Sequence, residues 1–155
     1  MGDHQNSIRY ILKHNIEGAC VECGVMGGNV QMLWIIELLN NRQFRDIYLF
    51  DTFAGLTKPG AQDWSLDKGM SADDVLEIWN NNKIDDNNNN WCNCPLETVK
   101  QRLLSTGYPS DKLHFIKGDV KDTLECPHNI PEKIAVLRLD TDWYESTKVE
   151  LDKLY

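Results

Sequence analysis

The sequence predicts an α/β fold built on a doubly wound parallel sheet, and three observations support this prediction. Short apolar runs, rich in β-branched and aromatic residues, recur along the 155-residue chain, as buried parallel strands do. Segments with helical apolar spacing separate these runs, a pattern typical of βαβ units. The first run leads into a glycine-rich turn, and each later run ends in aspartate. Because ligands bind at the carboxyl edge of such sheets, the pattern also predicts a site there.

The beginning of the chain supplies a helix, a strand and a glycine turn. The spacing predicts a first helix over residues 7–14 and a strand that begins near Cys20. Glu22 and the glycines of residues 24–28 follow, and such turns let backbone N–H groups approach a charged ligand closely. Residues 30–39 carry the wide apolar stripe of a second helix.

Three further strands each end in a carboxylate. They are the runs 47–51, 113–119 and 134–140, which end in Asp51, Asp119 and Asp140. A helix is predicted over residues 96–105, where an apolar face is followed by the stop signals Gly107 and Pro109. Since parallel strands end at a common edge, we expect the three aspartates to collect beside the glycine turn.

A long connection of different character interrupts this alternation. Residues 57–95 are predicted to form a lid-like insertion within a single domain of residues 1–155, because long connections in compact domains are usually functional. Residues 71–80 predict a short helix within the insertion, with Ser71 as its N-cap. The polar tract at residues 85–90 is low in complexity and is expected to be exposed to solvent.

Composition argues against several classes of protein. The net charge is −8 and no basic run is present, whereas a nucleic-acid binder carries a positive footprint. No apolar segment approaches the ~20 residues of a membrane span. Cys20 and Cys23 lie in or beside a predicted buried strand, where cysteine acts as a small hydrophobe. We therefore expect free thiols in a reducing cytoplasm.

Three segments carry a resemblance to a known family. Residues 21–28 combine Glu-x-Gly-x-x-Gly-Gly with the end of a strand, residues 48–56 surround the second strand end, and residues 137–147 contain Arg-x-Asp-x-Asp-x-Tyr-x-Ser-Thr. Together they resemble the macrocin O-methyltransferase family of class I, S-adenosylmethionine-dependent enzymes, which often act on sugar hydroxyls. The resemblance implies a Rossmann-like sheet of the class I methyltransferase type, with only its first four strands present.

The resemblance also implies roles for individual residues. The cofactor-binding set is Glu22, Gly24, Gly27 and Gly28 for the methionine part, Asp51 for the ribose hydroxyls, and Asp119 near the adenine. Asp140 is implied as a catalytic residue and as a ligand of Mg²⁺, a cation that prefers carboxylates and water. The family's next strand normally ends in an Asp-Asp pair that completes this metal site, so the metal site is expected to be incomplete here.

Asp142 has two interpretations. By the resemblance it is a catalytic residue, either the general base for the acceptor hydroxyl or a group that supports the site. Alternatively it caps the helix that follows, a position that aspartate favours.

The resemblance implies S-adenosylmethionine-dependent, metal-assisted O-methyl transfer to a hydroxyl of a sugar or natural-product-like small molecule. One alternative is a truncated, inactive domain that binds the cofactor without turnover. Another is a different nucleotide-binding α/β enzyme such as a nicotinamide dehydrogenase, although Gly-x-Gly-x-x-Gly does not follow the first strand. An open fourth strand would be a liability, so either a partner chain supplies another strand or the sequence is a fragment of a longer protein. If the chain is complete, self-association through the fourth strand is expected.

Overall fold

The computed structural model describes residues 2–65, 68–86 and 88–155. Its sheet consists of four parallel strands, namely β1 (Ala19–Cys23), β2 (Ile47–Asp51), β3 (Leu113–Lys117) and β4 (Ile134–Leu139). The spatial order is β3-β2-β1-β4, so the chain winds outwards from β1 to β3 and then returns to the other side of β1. This reversal beside β1 is the topological switch point at which doubly wound sheets bind ligands.

Helices and short 3₁₀ turns connect the strands. The helices are α1 (Gly2–Lys13), α2 (Asn29–Asn40), α3 (Ala72–Asn81), α4 (Leu96–Leu104), α5 (Val120–Thr123) and α6 (Tyr144–Leu154), and the 3₁₀ turns are Ser110–Lys112 and Pro127–Asn129. The predicted α/β class and the parallel sheet are confirmed. The first helix starts well before its predicted beginning, because polar residues extend it at the N-terminal end, where Asp3 favours the helix dipole.

Apolar side chains cover both faces of the sheet, because successive residues of a strand point to opposite sides. Cys20 of β1 belongs to a core that also contains Ile8 of α1, Trp34 of α2 and Leu103 of α4. The neighbouring residue Val21 belongs to a second core, which residues of α5 and α6 complete. The central strand β1 is buried throughout, whereas every residue of β4 is partly exposed at the edge of the sheet.

Side-chain hydrogen bonds stabilise described segments of the insertion, residues 57–95. Ser71 caps α3 as predicted, because its side-chain oxygen accepts a hydrogen bond from the Asp74 amide. The Asp74 carboxylate in turn accepts the Ser71 amide, which completes a capping box. The expectation that the polar tract is exposed is wrong for Asn89, which is only 2% exposed. Its side chain donates to the Trp79 carbonyl at 2.9 Å and accepts from the Trp91 amide at 2.8 Å. Asn87 of the same tract lies outside the described residues.

The state of the cysteines and the character of the helices bear on two expectations from composition. All five cysteines are free, and Cys20 and Cys23 are buried as expected for apolar packing. None of the helices in the described part of the chain has the length and apolar character needed to cross a lipid bilayer.

Candidate active site

A cavity lies where all four strands deliver their carboxyl ends. It encloses about 620 Å³ of empty space, its open mouth included. Its wall contains predicted site residues from every strand end: Gly24 after β1, Asp51 at the end of β2, Asp119 after β3, and Asp140 and Asp142 after β4. The sheet topology thus brings together five residues that the sequence separates widely, as expected at a switch point.

Gly24 permits the close approach of β1 and β4 at this edge. Its φ of 85° lies in the left-handed region, and a Cβ there would collide with the Asp140 carbonyl. The Asp140 amide donates to the Cys23 carbonyl at 2.8 Å, which extends the pairing of the two strands to their ends. A residue larger than glycine would therefore force the two strand ends apart.

Glu22, Gly27 and Gly28 are the three predicted cofactor residues that do not line the cavity. Gly28 is the N-cap of α2 with a φ of 77°, and its Cα packs towards α4. The Gly27 carbonyl accepts a hydrogen bond from the Arg102 guanidinium. Both glycines thus shape the turn, and their direct contact with a cofactor stays a prediction.

Asp51 ties the end of β2 to the glycine turn. Its Oδ2 accepts the Val25 amide at 2.7 Å and the Met26 amide at 2.9 Å, while its Oδ1 accepts the Phe53 amide at 2.7 Å. A carboxylate offers about four acceptor directions, so these bonds leave room for one further donor. Asp51 therefore holds the turn in place and still faces the cavity.

Glu22 is a buried carboxylate on the central strand. Only 1% of the residue is exposed, and its two oxygens accept hydrogen bonds from the Gln31 amide and the Arg138 guanidinium. Burial raises the pKa of Glu22 to about 8, although the charge of Arg138 acts in the opposite direction. Desolvation dominates because the carboxylate is withdrawn from water on the most buried strand.

Arg138 connects this buried carboxylate to the cavity. One guanidinium nitrogen pairs with Glu22, and the other donates to Asp140 Oδ2 at 2.7 Å. Burial tends to lower the pKa of Arg138, but the charges of Glu22 and Asp140 outweigh it and raise the pKa. Arg138 is a residue of the site for which no role was predicted from the sequence. The sequence did contain a signal for this role, because Arg138 is a cationic residue within the apolar run 134–140. A charge in such a run needs a partner of opposite charge.

Asp142 is positioned by an unusual backbone conformation. Its φ is 69°, and the N-cap of α6 is the next residue, Trp143. The interpretation of Asp142 as the helix cap is therefore wrong. The first amide of α6, that of Tyr144, instead donates to Asp63 of the insertion at 2.7 Å. Desolvation, and next the charge of Asp140, raise the pKa of Asp142.

Several residues of the cavity wall were not predicted. Met26, Leu56 and Val120 give it apolar surface, and Cys92 and Ser146 add small polar groups. Cys92 and Leu56 come from opposite ends of the connection after β2, so only the folded structure could bring them together. The resulting wall combines apolar patches with a few polar groups, which is typical of small-molecule sites.

The next question is whether side chains of the site could hold a metal ion. Among residues 2–65, 68–86 and 88–155, no three side chains of histidine, cysteine, aspartate or glutamate are grouped so that they could hold a metal ion. One oxygen of Asp140 is already bonded to Arg138. The donor set present does not complete the site that the resemblance implies.

Comparison with known proteins identifies a family. The family model described as Macrocin-O-methyltransferase (TylF) matches residues 1–155. The chain is 29% identical to the 8-demethyl-8-(2,3-dimethoxy-alpha-L-rhamnosyl)-tetracenomycin-C 4'-O-methyltransferase of Streptomyces olivaceus, over 97% of this chain and 52% of the relative. It is 27% identical to the demethyldecarbamoylnovobiocin O-methyltransferase of Streptomyces niveus, over 94% of this chain and 50% of the relative.

A third relative and a solved structure agree with these matches. The mycinamicin III 3''-O-methyltransferase of Micromonospora griseorubida is 27% identical, over 97% of this chain and 55% of the relative. The chain thus spans about half the length of the curated relatives it matches. The structure of the O-methyltransferase NovP superimposes with a TM-score of 0.76 at 24% identity, over 99% of this chain and 57% of that chain, which supports the fold.

The ion pair between the buried Glu22 and the partly exposed Arg138 predicts a pH-dependent effect of substitution. The folded pKa of Glu22, about 8, exceeds its ordinary value of 4.5, so the folded protein binds more protons between these pH values. Stability from this group is therefore fully present below about pH 4.5, is lost progressively as pH rises through about 8, and does not change further above that. We expect Arg138→Met to lower the free energy of unfolding by about 1–3 kcal/mol at pH 6, the cost of an unmade buried hydrogen bond. The loss should be larger at pH 9, where Glu22 is ionised.

Urea unfolding at the two pH values measures this difference. Glu22→Gln should flatten the pH dependence, because it removes the titrating group. Lys133→Met is the matched control, since Lys133 and its partner Glu17 are both largely exposed, and it should change stability by no more than about 0.5 kcal/mol. Equal losses for Arg138→Met at pH 6 and pH 9 would contradict the raised pKa.

Proposed function

The chain belongs to the macrocin O-methyltransferase family, and on this premise we propose that it binds S-adenosylmethionine and methylates a hydroxyl of a sugar or similar small molecule. The observation that carries this proposal is the cavity into which all four strand ends deliver a glycine or a carboxylate. The rhamnosyl group named for the Streptomyces olivaceus relative supports a sugar as the acceptor.

The residues of the cavity fit the parts of S-adenosylmethionine. Gly24 leaves room for the methionine part, and Asp51 retains an acceptor direction for a ribose hydroxyl. Asp119 is the N-cap of α5 and uses one oxygen on the Lys121 amide at 2.9 Å. The adjacent Val120, with Leu56, offers the apolar surface that an adenine ring needs.

The chemistry assigned to this chain is proton removal and orientation. S-adenosylmethionine supplies a methyl group on a positively charged sulfur. The acceptor oxygen attacks the methyl carbon, an O–C bond forms as the C–S bond breaks, and the electron pair stays on sulfur. In our proposal Asp142 accepts the hydroxyl proton, and its raised pKa makes it a better base than an ordinary aspartate. Asp140 faces the same space and is oriented by Arg138.

Magnesium stays a proposal with a single contributing residue. Asp140 is the ligand that the family resemblance implies, and Mg²⁺ often keeps several waters beside one or two carboxylates. The described residues do not complete such a site. We therefore derive no step of the transfer through a metal, and the second candidate function is cofactor binding without turnover.

The cellular context is also proposed. The free thiols of all five cysteines support a reducing cytoplasm. Self-association through β4 is proposed only for a chain without a further strand beside β4, and the partial exposure of the six residues Ile134–Leu139 supports it. Sedimentation velocity should show a dimer or larger species, and a monomer at high concentration would contradict this association.

Cofactor binding is tested by titrating the protein with S-adenosylhomocysteine in a calorimeter. We expect saturable binding, and we expect Asp51→Ala to weaken it at least tenfold, because both the ribose acceptor and the support of the glycine turn are lost. The matched control is Asp122→Ala, an exposed aspartate of α5 that does not line the cavity. Absence of binding by well-folded protein, shown by circular dichroism, would contradict the proposed function.

Methyl transfer is tested with radiolabelled S-adenosylmethionine and the acceptors named for the relatives. Asp142→Asn should reduce the rate constant about 10²- to 10⁴-fold, as expected for loss of a general base, while S-adenosylhomocysteine binding is retained. Each assay is run with Mg²⁺ and with a chelator. Transfer by the chelated protein would contradict metal assistance, and full activity of Asp142→Asn would contradict the assignment of the base. Cofactor binding without transfer would support the second candidate.

A further inference from the structure

A groove separate from the cofactor cavity lies between the insertion and the start of α6. We call it the aromatic groove, and the residues that matter here are Trp64, Lys68, Trp91, Asp142, Trp143 and Tyr144. It offers about 1030 Å³ of space, open mouth included. Among the described residues, Asp142 is the one that lines both this groove and the cofactor cavity. A molecule in the groove can therefore reach Asp142 while the cofactor occupies the cavity.

The groove exposes aromatic surface to solvent. Trp64 is 56% exposed and Tyr144 is 50% exposed. Grouped apolar surface of this kind marks interaction sites, whereas single exposed apolar residues do not. Trp64 and Tyr144 line the groove together with Asp142, which also lines the cofactor cavity. The exposed aromatic surface therefore lies close to the proposed catalytic base.

Hydrogen bonds hold the walls of the groove together. The Tyr144 amide donates to Asp63 at 2.7 Å, and the Trp143 indole N–H donates to the Thr57 carbonyl at 2.7 Å. The rings of Trp91 and Trp143 meet edge to face, with centroids 5.8 Å apart. These contacts fasten both ends of the insertion to the beginning of α6, so the groove is formed before a ligand arrives.

The chemistry of the lining selects a class of ligand. Flat aromatic rings pack against the C–H face of a sugar ring, while carboxylate and ammonium groups at the rim can bond its hydroxyls. A pure hydrocarbon would cover Asp142 and Lys68 without pairing them, at a cost in free energy. A polyhydroxylated ring with one apolar face satisfies both kinds of surface.

A competing groove on the other side of the cavity lacks this relation to the proposed base. We call it the lysine-lined groove, because Lys58, Lys83 and Lys117 are part of its lining. It lies beside the end of β3 and is larger than the aromatic groove. Neither Asp140 nor Asp142 belongs to its described lining. A hydroxyl bound there would lie on the Asp119 side and away from the proposed base.

We propose that the aromatic groove is the acceptor site, that it takes the pyranose ring of a sugar, and that Trp64 and Tyr144 determine this specificity. The inference rests on the proposed methyl transfer and adds the location of the acceptor and the residues that recognise it. The acceptor hydroxyl would then approach Asp142 from the groove while the methyl group approaches from the cavity.

The test is a nuclear magnetic resonance titration of ¹⁵N-labelled protein with methyl α-L-rhamnopyranoside, with and without S-adenosylhomocysteine. The Trp64 indole and Tyr144 amide signals should shift saturably. Trp64→Ala and Tyr144→Ala should each weaken the pyranoside about two- to tenfold, the range for one aromatic contact. Trp64→Phe should retain most of the affinity. Tyr10→Ala is the control, because Tyr10 is 59% exposed on α1 and lies outside the described lining of the groove.

The outcomes separate this inference from the proposed function. Calorimetry with S-adenosylhomocysteine should give the same affinity for Trp64→Ala as for the unmodified chain, and absence of binding in both contradicts methyl transfer. Shifts confined to the lysine-lined groove, absent pyranoside binding, or equal affinity after Trp64→Ala overturn the aromatic groove as the sugar site. Binding of catechol without binding of the pyranoside likewise overturns the sugar class.

Discussion

The buried carboxylate of Glu22 is the constraint on which the site depends. A carboxyl group withdrawn from water on the central strand is costly unless its oxygens find hydrogen-bond partners, and most of all when it is ionised. Here the donors are Gln31 of α2 and Arg138 of β4, so one side chain fixes the position of a helix and of an edge strand. Arg138 extends the constraint to Asp140, which faces the cavity. The position of a proposed catalytic carboxylate therefore follows from a packing requirement deep in the sheet.

Asp51 supplies a second constraint of the same kind on the other side of β1. Its oxygens receive amides from the glycine turn and from the start of the following loop. The turn is thus held by the end of β2 in addition to its own glycines. Fixed dipoles and charges that need no rearrangement are what electrostatic catalysis requires. Both constraints act through side chains at the strand ends.

The elements that depend on local sequence were predictable, and those that depend on distant contacts were not. The apolar run of β2 and the Ser71 cap of α3 were found because periodicity and capping are local signals. Asn89 was expected to be exposed because its neighbours are polar, yet it is buried and hydrogen-bonded to the backbones of Trp79 and Trp91. Asp63 caps α6 across 81 residues of sequence, a separation at which no spacing rule applies.

The same distinction applies to the site residues. Carboxylates at strand ends could be placed on one edge from the sequence, because parallel topology requires it. The sequence could not tell whether Glu22 faces a ligand or an arginine of the neighbouring strand, since an acidic residue at the end of β1 serves either purpose. It also left the role of Asp142 open, and the positive φ of that residue decided against helix capping.

The most direct test of the central claim is a crystal structure of the protein with S-adenosylhomocysteine bound. We predict that the ligand lies in the cavity between Gly24 and Asp119, with its ribose hydroxyls at Asp51 and its sulfur towards Asp142. The Glu22–Arg138–Asp140 contacts should be unchanged. A ligand bound in the lysine-lined groove, or one whose ribose is remote from Asp51, would contradict the account.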